Sequence, residues 1–337
     1  MKKQNRLIRQ ITLLTLLIIC PFIAQAKEPV LRYTEEGKFK IVQLTDIHYI
    51  HNNTSSIEAM QRISDIIDKE APQLIMLTGD IIYGEPAKES MLDVVAAIKD
   101  KGIPFGMMYG NHDDEFKLSR EELFNLTKPI PNNITSTIKN LSGVTNYILE
   151  VKGSQSNAIE SLIYCFDSHA YSKLPGIGGY DYIKQDQIDW YRKESSRYTQ
   201  KNNNKPYLAL SFFHIPTPEY KMATLVKRAE VKGNFTEGIC SPEMNSGLFT
   251  AMREQGDVKG IFVGHDHDND FTVNWHGILL AYGRYSGGET VYNNLGENGV
   301  RVVELTEGSN EYQTWIRTTS GVDQLNTYPT DYIKEKK

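Results

Sequence analysis

The sequence predicts an α/β fold that becomes strand-rich in its second half, with two sheets packed together and helices outside them. Two observations carry this reading. Short apolar runs alternate with segments of helical periodicity over the first third of the chain, a βαβαβ order that requires parallel strands and crossover helices. Beyond about residue 260 strands follow one another, near 271–275, 278–282, 299–305 and 312–317, with no helix between them.

The elements are read in order. FKIVQLT (39–45) is a buried strand. Ser55 to Glu70 has helical spacing, with Ile57, Met60, Ile63, Ile66 and Ile67 on one face and Thr54 or Ser55 as the cap. LIMLT (74–78) is a second strand, Lys88 to Lys101 a second helix and IPFGMMY (103–109) a third strand. Residues 117–156 are polar and irregular, and KPIPNN breaks any helix there. Strands resume at YILEV (147–151) and SLIYCFD (161–167), and the loop LPGIGGYDY leads into a helix near Gln185 to Tyr198. YLALSFF (207–213) is a buried strand, and a helix near Asn245 to Glu254 precedes GIFVG (260–264). Strands follow near 271–275, 278–282, 299–305 and 312–317. A single domain is expected over 27–325, with a frayed charged tail over 326–337.

The first 26 residues are of another kind. Lys2, Lys3, Arg6 and Arg9 precede an apolar run from Ile11 to Ile19, and the segment closes on AQA. That is the build of a secretory signal peptide, which places the mature chain in the periplasm or outside the cell. The run is shorter than the ~20 residues of a spanning helix, so no membrane span is expected in the mature chain. Ile19, bulky before Cys20, argues against lipid attachment. Removing those four cations takes the net charge from −5 to −9. An acidic chain without a basic tract is a poor nucleic-acid partner. Cys165 and Cys240 remain and can form one disulfide in an oxidising compartment; the sequence leaves open whether they meet.

Chemistry gathers at the carboxyl ends of the strands, where ligands bind in α/β sheets. The first strand ends in Asp46 and His48, the second in Gly79 and Asp80, and the third in Gly110, Asn111, His112 and Asp113. The strand at 207–213 ends in His214, and the strand at 260–264 in Gly264, His265 and His267. Five of the eight histidines lie in these stretches, too many for scattered surface or core residues. Carboxylate oxygen and imidazole nitrogen suit Zn²⁺, Fe and Mn²⁺, and no thiolate is present to make a structural zinc knot. The i, i+2 pairs Asp46/His48 and His265/His267 put both side chains of each pair on one side of an extended segment. A carboxylate with two oxygens can span two ions.

In that order, D-x-H, GD, GNHD, a lone His and GHxH resemble the calcineurin-like metallophosphoesterases, over about residues 39 to 305. IVQLTDIH, FFHIPTPEY and GDVKGIFVGHDHDNDF resemble most the purple-acid-phosphatase-related branch. The resemblance implies a four-layer α/β/β/α sandwich with two mixed sheets. It implies two metal ions (Fe, Mn or Zn), one held by Asp46, His48 and His267 and the other by Asn111, His214 and His265, with Asp80 bridging. It implies that His112 protonates the leaving oxygen or holds the phosphate. One departure stands out: purple acid phosphatases carry a tyrosine ligand where GDIIYG supplies Tyr83, and glycine where this chain has His48. His48 is expected to bind and Tyr83 to pack nearby.

The expected reaction is in-line attack of a metal-bound hydroxide on the phosphorus of a small phosphate monoester. His112 acts as general acid, with Asp113 either orienting it or capping the next loop. A phosphodiesterase is the alternative within the same chemistry, and a non-catalytic phosphate-binding protein the alternative outside it. His169, Tyr180 and Tyr182 lie in loops that can roof the cleft, beside Asn111 and His112, or pack as ordinary loop residues. Asp268 and Asp270 either orient ligand imidazoles or serve as turn residues.

Overall fold

The computed structural model describes residues 29–226 and 229–332. The segment read as a signal peptide, 1–26, lies outside the described residues. In chain order the elements are β1 (Lys38–Leu44), α1 (Thr54–Glu70), β2 (Leu74–Thr78), α2 (Ala87–Lys99), β3 (Phe105–Met108), α3 (Arg120–Thr127), β4 (Tyr147–Lys152) and β5 (Ile159–Cys165). They continue with α4 (Gln185–Lys201), β6 (Leu208–Phe212), α5 (Pro218–Leu225), β7 (Val231–Lys232), α6 (Leu248–Gln255), β8 (Val258–Val263), β9 (Thr272–Trp275) and β10 (Ile278–Tyr282). The last strands are β11 (Val300–Thr306), β12 (Tyr312–Arg317) and β13 (Val322–Tyr328).

The strands form two mixed sheets, ordered β13-β12-β11-β1-β2-β3 and β4-β5-β6-β8-β10-β9-β7. β1, β2 and β3 run parallel, as the βαβαβ reading required, and β11 closes antiparallel on β1. In the second sheet β5, β6, β8 and β10 run parallel between antiparallel neighbours.

Alternation along each strand builds three layers of core. Ile41, Met76, Val303, Ile163, Leu210 and Phe262 face the space between the sheets. Val42 and Leu77 point the other way, against Ile63, Ile66, Met91 and Val95 of α1 and α2. Leu162 and Ile261 meet Ile188 and Tyr191 of α4 and Leu248 and Met252 of α6. This is the four-layer α/β/β/α sandwich. Strands covered on both faces are apolar throughout, which is why LIMLT is buried at all five positions. One cation sits in the seam. Arg301 of β11 is fully buried and donates to the carbonyls of Tyr282 (2.5 Å) and Asp270 (2.6 Å) and to Thr314 Oγ1 (3.0 Å), tying the first sheet to the second.

Several features depart from the sequence reading: Asn53, rather than Thr54 or Ser55, caps α1, and α5 and β7 occupy stretches to which the sequence assigned no element. α3 occupies part of the stretch read as irregular; Ser119 and Glu122 form a reciprocal cap at its start, the S-x-x-E signature of a helix N-terminus. Ile57, assigned to the buried face of α1, is exposed, and that face is completed by Ala59 instead. β13, a polar edge strand, crosses residue 326, where the tail was placed, and pairs with β12 as far as Tyr328. Cys165 lies buried in β5, Cys240 lies in an exposed loop, and both are free, so the two do not pair here.

Candidate metal centre

All five strand ends named by the sequence meet at one place. The loops after β1 and β2 run together beyond the strands: Asp46 N donates to Gly79 O (3.1 Å), His48 N to Asp80 O (2.9 Å) and Tyr49 N to Ile81 O (3.0 Å). These bonds hold the chain in a conformation that non-glycine residues avoid. Asp46, His48 and Asp80 have φ of 53°, 46° and 48°, and His265 has 84°. The convergence of Asp46 with His48 therefore comes from left-handed turns, not from the extended alternation that their spacing suggested. Gly79 serves two needs: its φ is 91°, and a Cβ there would fall 2.5 Å from the ring of His214. At Gly264 a Cβ would lie 1.9 Å from Thr45 Oγ1 and 2.6 Å from Asp46 Oδ2. The two sheets thus approach closely at the site because glycine leaves the room.

Asp46, His48 and His267 form one group able to hold a metal ion, and Asp80, His214 and His265 a second, all buried. His48 Nε2 and His267 Nε2 lie 3.0 Å apart, and His265 Nδ1 lies 3.3 Å from His214 Nε2. Asp80 Oδ2 stands between the groups, 3.1 Å from His214 Nε2 and 3.8 Å from His48 Nε2. Its other oxygen accepts from the backbone N–H of His112 (2.9 Å). One oxygen, rather than the two envisaged from sequence, faces both groups. Asn111 stands beside them, its Oδ1 buried without a hydrogen-bond partner.

Neighbouring carbonyls orient the imidazoles. His214 Nδ1 donates to Thr78 O (2.9 Å) and His267 Nδ1 to Tyr292 O (2.9 Å), which turns each Nε2 inward. Burial drives the pKa of His48 and His265 well below the usual value, so both stay neutral and able to bind a cation. Burial raises Asp46 against the pull of His214 and His267. Burial also opposes charge on Asp80, but the imidazoles around it win and keep it ionised. Burial opposes charge on His214 too; there Asp80 prevails, with Asp46 and the Thr78 carbonyl, and the pKa is pushed up to about 9. Without a cation, lone pairs facing one another and a carboxylate at these distances need a proton between them. The donor set and the unpartnered Asn111 oxygen fit a pair of metal ions, and metal must displace the proton on His214. Metal uptake near neutral pH is therefore expected to release protons, and affinity to rise with pH up to about 9. Titrating Mn²⁺ or Zn²⁺ into metal-free protein in buffers of different ionisation enthalpy measures this; proton-neutral binding would contradict it.

The catalytic candidates divide. His112 stands at the open side of the centre, its ring 5.5 Å from His48 and 5.0 Å from Tyr83. Asp113 makes no hydrogen bond to its ring. Asp113 Oδ1 accepts from the amides of Ile81 (2.8 Å) and Ile82 (3.1 Å), and Oδ2 from Gly110 N (2.7 Å), so it clamps the β2 and β3 loops together. Glu115 is the carboxylate on His112, with Oε2 accepting from Nδ1 at 2.6 Å. Sequence reasoning passed over Glu115, although it lies three residues beyond His112 in GNHDDE. Tyr83 packs edge-on against His48, ring centres 5.2 Å apart.

The roof loops behave unequally. Tyr180 meets His265 edge-on at 4.2 Å. His169 gives its ring nitrogen to Gln187 (2.9 Å) but lines, with Asn111, Glu115, Arg120 and Tyr171, a cleft of about 490 Å³ beside the centre. Tyr182 packs under the Lys184 ammonium and does not line that cleft. Asp268 and Asp270 bond no ligand imidazole: Asp268 holds Asn294, and Asp270 joins Arg284, Asn234 and Gln324. Tyr292, also missed from sequence, stacks on His267 at 4.4 Å. Among the described residues no helix is long and apolar enough to cross a membrane.

Residues 39–269 match the model of the calcineurin-like phosphoesterases. The chain is 32% identical to "Probable inactive purple acid phosphatase 14" of Arabidopsis thaliana, over 88% of this chain and 82% of that protein. It is 33% identical to "Phosphatase DCR2" of Saccharomyces cerevisiae, over 88% of this chain and 56% of the yeast protein. A solved dimetal phosphatase from Danio rerio shares the fold at a TM-score of 0.60 and 14% identity, over 86% of this chain and 98% of that one. A purple acid phosphatase from yellow lupin seeds does so at 0.52 and 14%, over 90% and 56%. The matched stretch begins at β1 and ends just past the turn that carries His265 and His267, so every strand end feeding the centre falls inside it, and the chain belongs to the calcineurin-like phosphoesterases.

Proposed function

We propose that the protein is an exported phosphoesterase that hydrolyses phosphate monoesters of small molecules with a dinuclear metal centre of Fe, Mn or Zn. The observation that carries this reading is Asp80 Oδ2, buried, paired with His214 and facing both ligand groups, with His112 beside them. Some relatives bear "inactive" in their names. In this chain every position of the family's ligand pattern holds a residue able to coordinate, which supports catalysis.

Asp46, His48 and His267 would hold one ion, Asn111, His214 and His265 the other, and Asp80 both. When bound, such ions activate water and neutralise phosphate charge. The chain's own residues supply the rest. Thr78 and Tyr292 fix the tautomers of His214 and His267 through their carbonyls. The bond from His112 Nδ1 to Glu115 leaves Nε2 to give a proton to the departing alkoxide. The cleft of about 490 Å³ beside Asn111 receives the leaving group. It also has room for a second ester arm, which keeps a phosphodiesterase in view. Export rests on the basic, apolar and small-residue start of the sequence.

The test compares p-nitrophenyl phosphate with bis-p-nitrophenyl phosphate after loading with Mn²⁺, Zn²⁺ or Fe²⁺. Faster monoester turnover is expected with at least one metal. Faster diester turnover would make the protein a phosphodiesterase, and failure to bind metal or turn over either ester would leave a non-catalytic binding protein.

A further inference from the structure

We propose that Glu115 is the positioning residue of the site, holding His112 as the acid and tying it to the lobe that roofs the leaving-group cleft; this rests on the phosphoesterase reading above. Glu115 N donates to His112 O (3.2 Å), so a tight turn puts the two side chains next to each other. Its carboxylate then serves two donors at once. Oε2 accepts from His112 Nδ1 at 2.6 Å, and Oε1 accepts from the Tyr171 hydroxyl at 2.8 Å. The same hydroxyl accepts from Asn111 Nδ2 at 3.3 Å.

Tyr171 belongs to a lobe closed on itself by Ser172 N to Gly179 O (2.9 Å) and Asp181 N to Ala170 O (2.9 Å). Within it Tyr171 stacks on Tyr180 at 5.7 Å, and Tyr180 meets His265. A chain of contacts thus runs from the acid through Glu115 and the lobe to the far ligand group. Ring contacts with His48 and Tyr83 confine His112, but they do not select which nitrogen faces the centre. Its ring has no other hydrogen-bond partner among the described residues, and Tyr83 packs against it without one. A carboxylate on Nδ1 fixes which nitrogen faces the substrate and stabilises the imidazolium, as an orienting acid does for a catalytic histidine elsewhere.

The experiment compares His112→Ala, Glu115→Ala, the double variant and Tyr171→Phe on p-nitrophenyl phosphate, whose leaving group departs readily, and on glycerol 3-phosphate, whose leaving group needs a proton. Metal content is measured for each. Glu115→Ala is expected to keep both metals and to lose roughly tenfold more on glycerol 3-phosphate than on p-nitrophenyl phosphate. The double variant is expected to be no slower than His112→Ala, because the two residues act as one unit. Tyr171→Phe, which frees only the lobe, is expected to raise KM for glycerol 3-phosphate more than it lowers kcat. Equal losses of Glu115→Ala on both esters, or losses that add fully in the double variant, would overturn the proposal. A second readout needs no turnover. In protein with ¹⁵N-labelled histidine, the Nδ1–H resonance of His112, assigned by its loss in His112→Ala, is expected in the wild type and in Tyr171→Phe and absent in Glu115→Ala. A wild type without that resonance sinks the positioning role even in a fully active protein. A wild type that shows it yet hydrolyses no ester sinks the phosphoesterase reading and leaves the pair standing.

Discussion

Asp80→Asn is expected to cost at least one metal ion and roughly a thousandfold or more in ester hydrolysis. The substitution isolates charge from shape. Asparagine tolerates the left-handed backbone at this position, where φ is 48°, better than most residues. An amide oxygen can still accept from the His112 backbone N–H, the bond that Asp80 Oδ1 makes at 2.9 Å. What disappears is the negative charge on the oxygen between His214 Nε2 and His48 Nε2. With it goes the chief force that raises His214, so that imidazole loses the influence that kept it charged in the metal-free protein. Metal analysis together with turnover of p-nitrophenyl phosphate decides the matter. A variant that retained two ions and full activity would remove Asp80 from the bridging position.

His112→Ala has the opposite signature. Among the described residues its side chain hydrogen-bonds only Glu115, and its backbone bond to Asp80 survives the change, so both ions are expected to stay. The loss falls on proton delivery, about 10² to 10⁴ in rate for an alkyl phosphate and far less for a nitrophenyl ester. The slope of log kcat/KM against leaving-group pKa reads this, and should steepen in the variant. A uniform loss across the series, with the slope unchanged, would show that His112 binds phosphate rather than donating a proton.

The convergence of these residues was legible in the sequence because every candidate ligand follows closely on an apolar run. β1, β2, β3, β6 and β8 are covered on both faces, their boundaries are sharp, and the polar residues after them fall at the sheet edge. Weakly amphipathic elements escaped. α3 is eight residues long and buries only Arg120, Leu123 and Thr127, so its cap was a stronger sign than its periodicity. β13 buries only Asn326 and Tyr328 and leaves no apolar run to read. Side-chain partners inside loops escaped for a different reason. Whether Asp113 or Glu115 meets His112 depends on the turn that brings Glu115 N to His112 O, and Asp113 is drawn off by three backbone amides. The left-handed conformations of Asp46, His48 and Asp80 are imposed by pairing between neighbouring loops, which no local propensity records.

The seam that Arg301 bridges also divides the candidate ligands. Asp46, His48, Asp80 and Asn111 leave the ends of the first sheet, while His214, His265 and His267 leave the second. During synthesis the set is incomplete until residue 267 has emerged from the ribosome. Each of the two groups able to hold an ion therefore lacks a member until that turn is made: His267 completes the group of Asp46 and His48, and His265 completes that of Asp80 and His214.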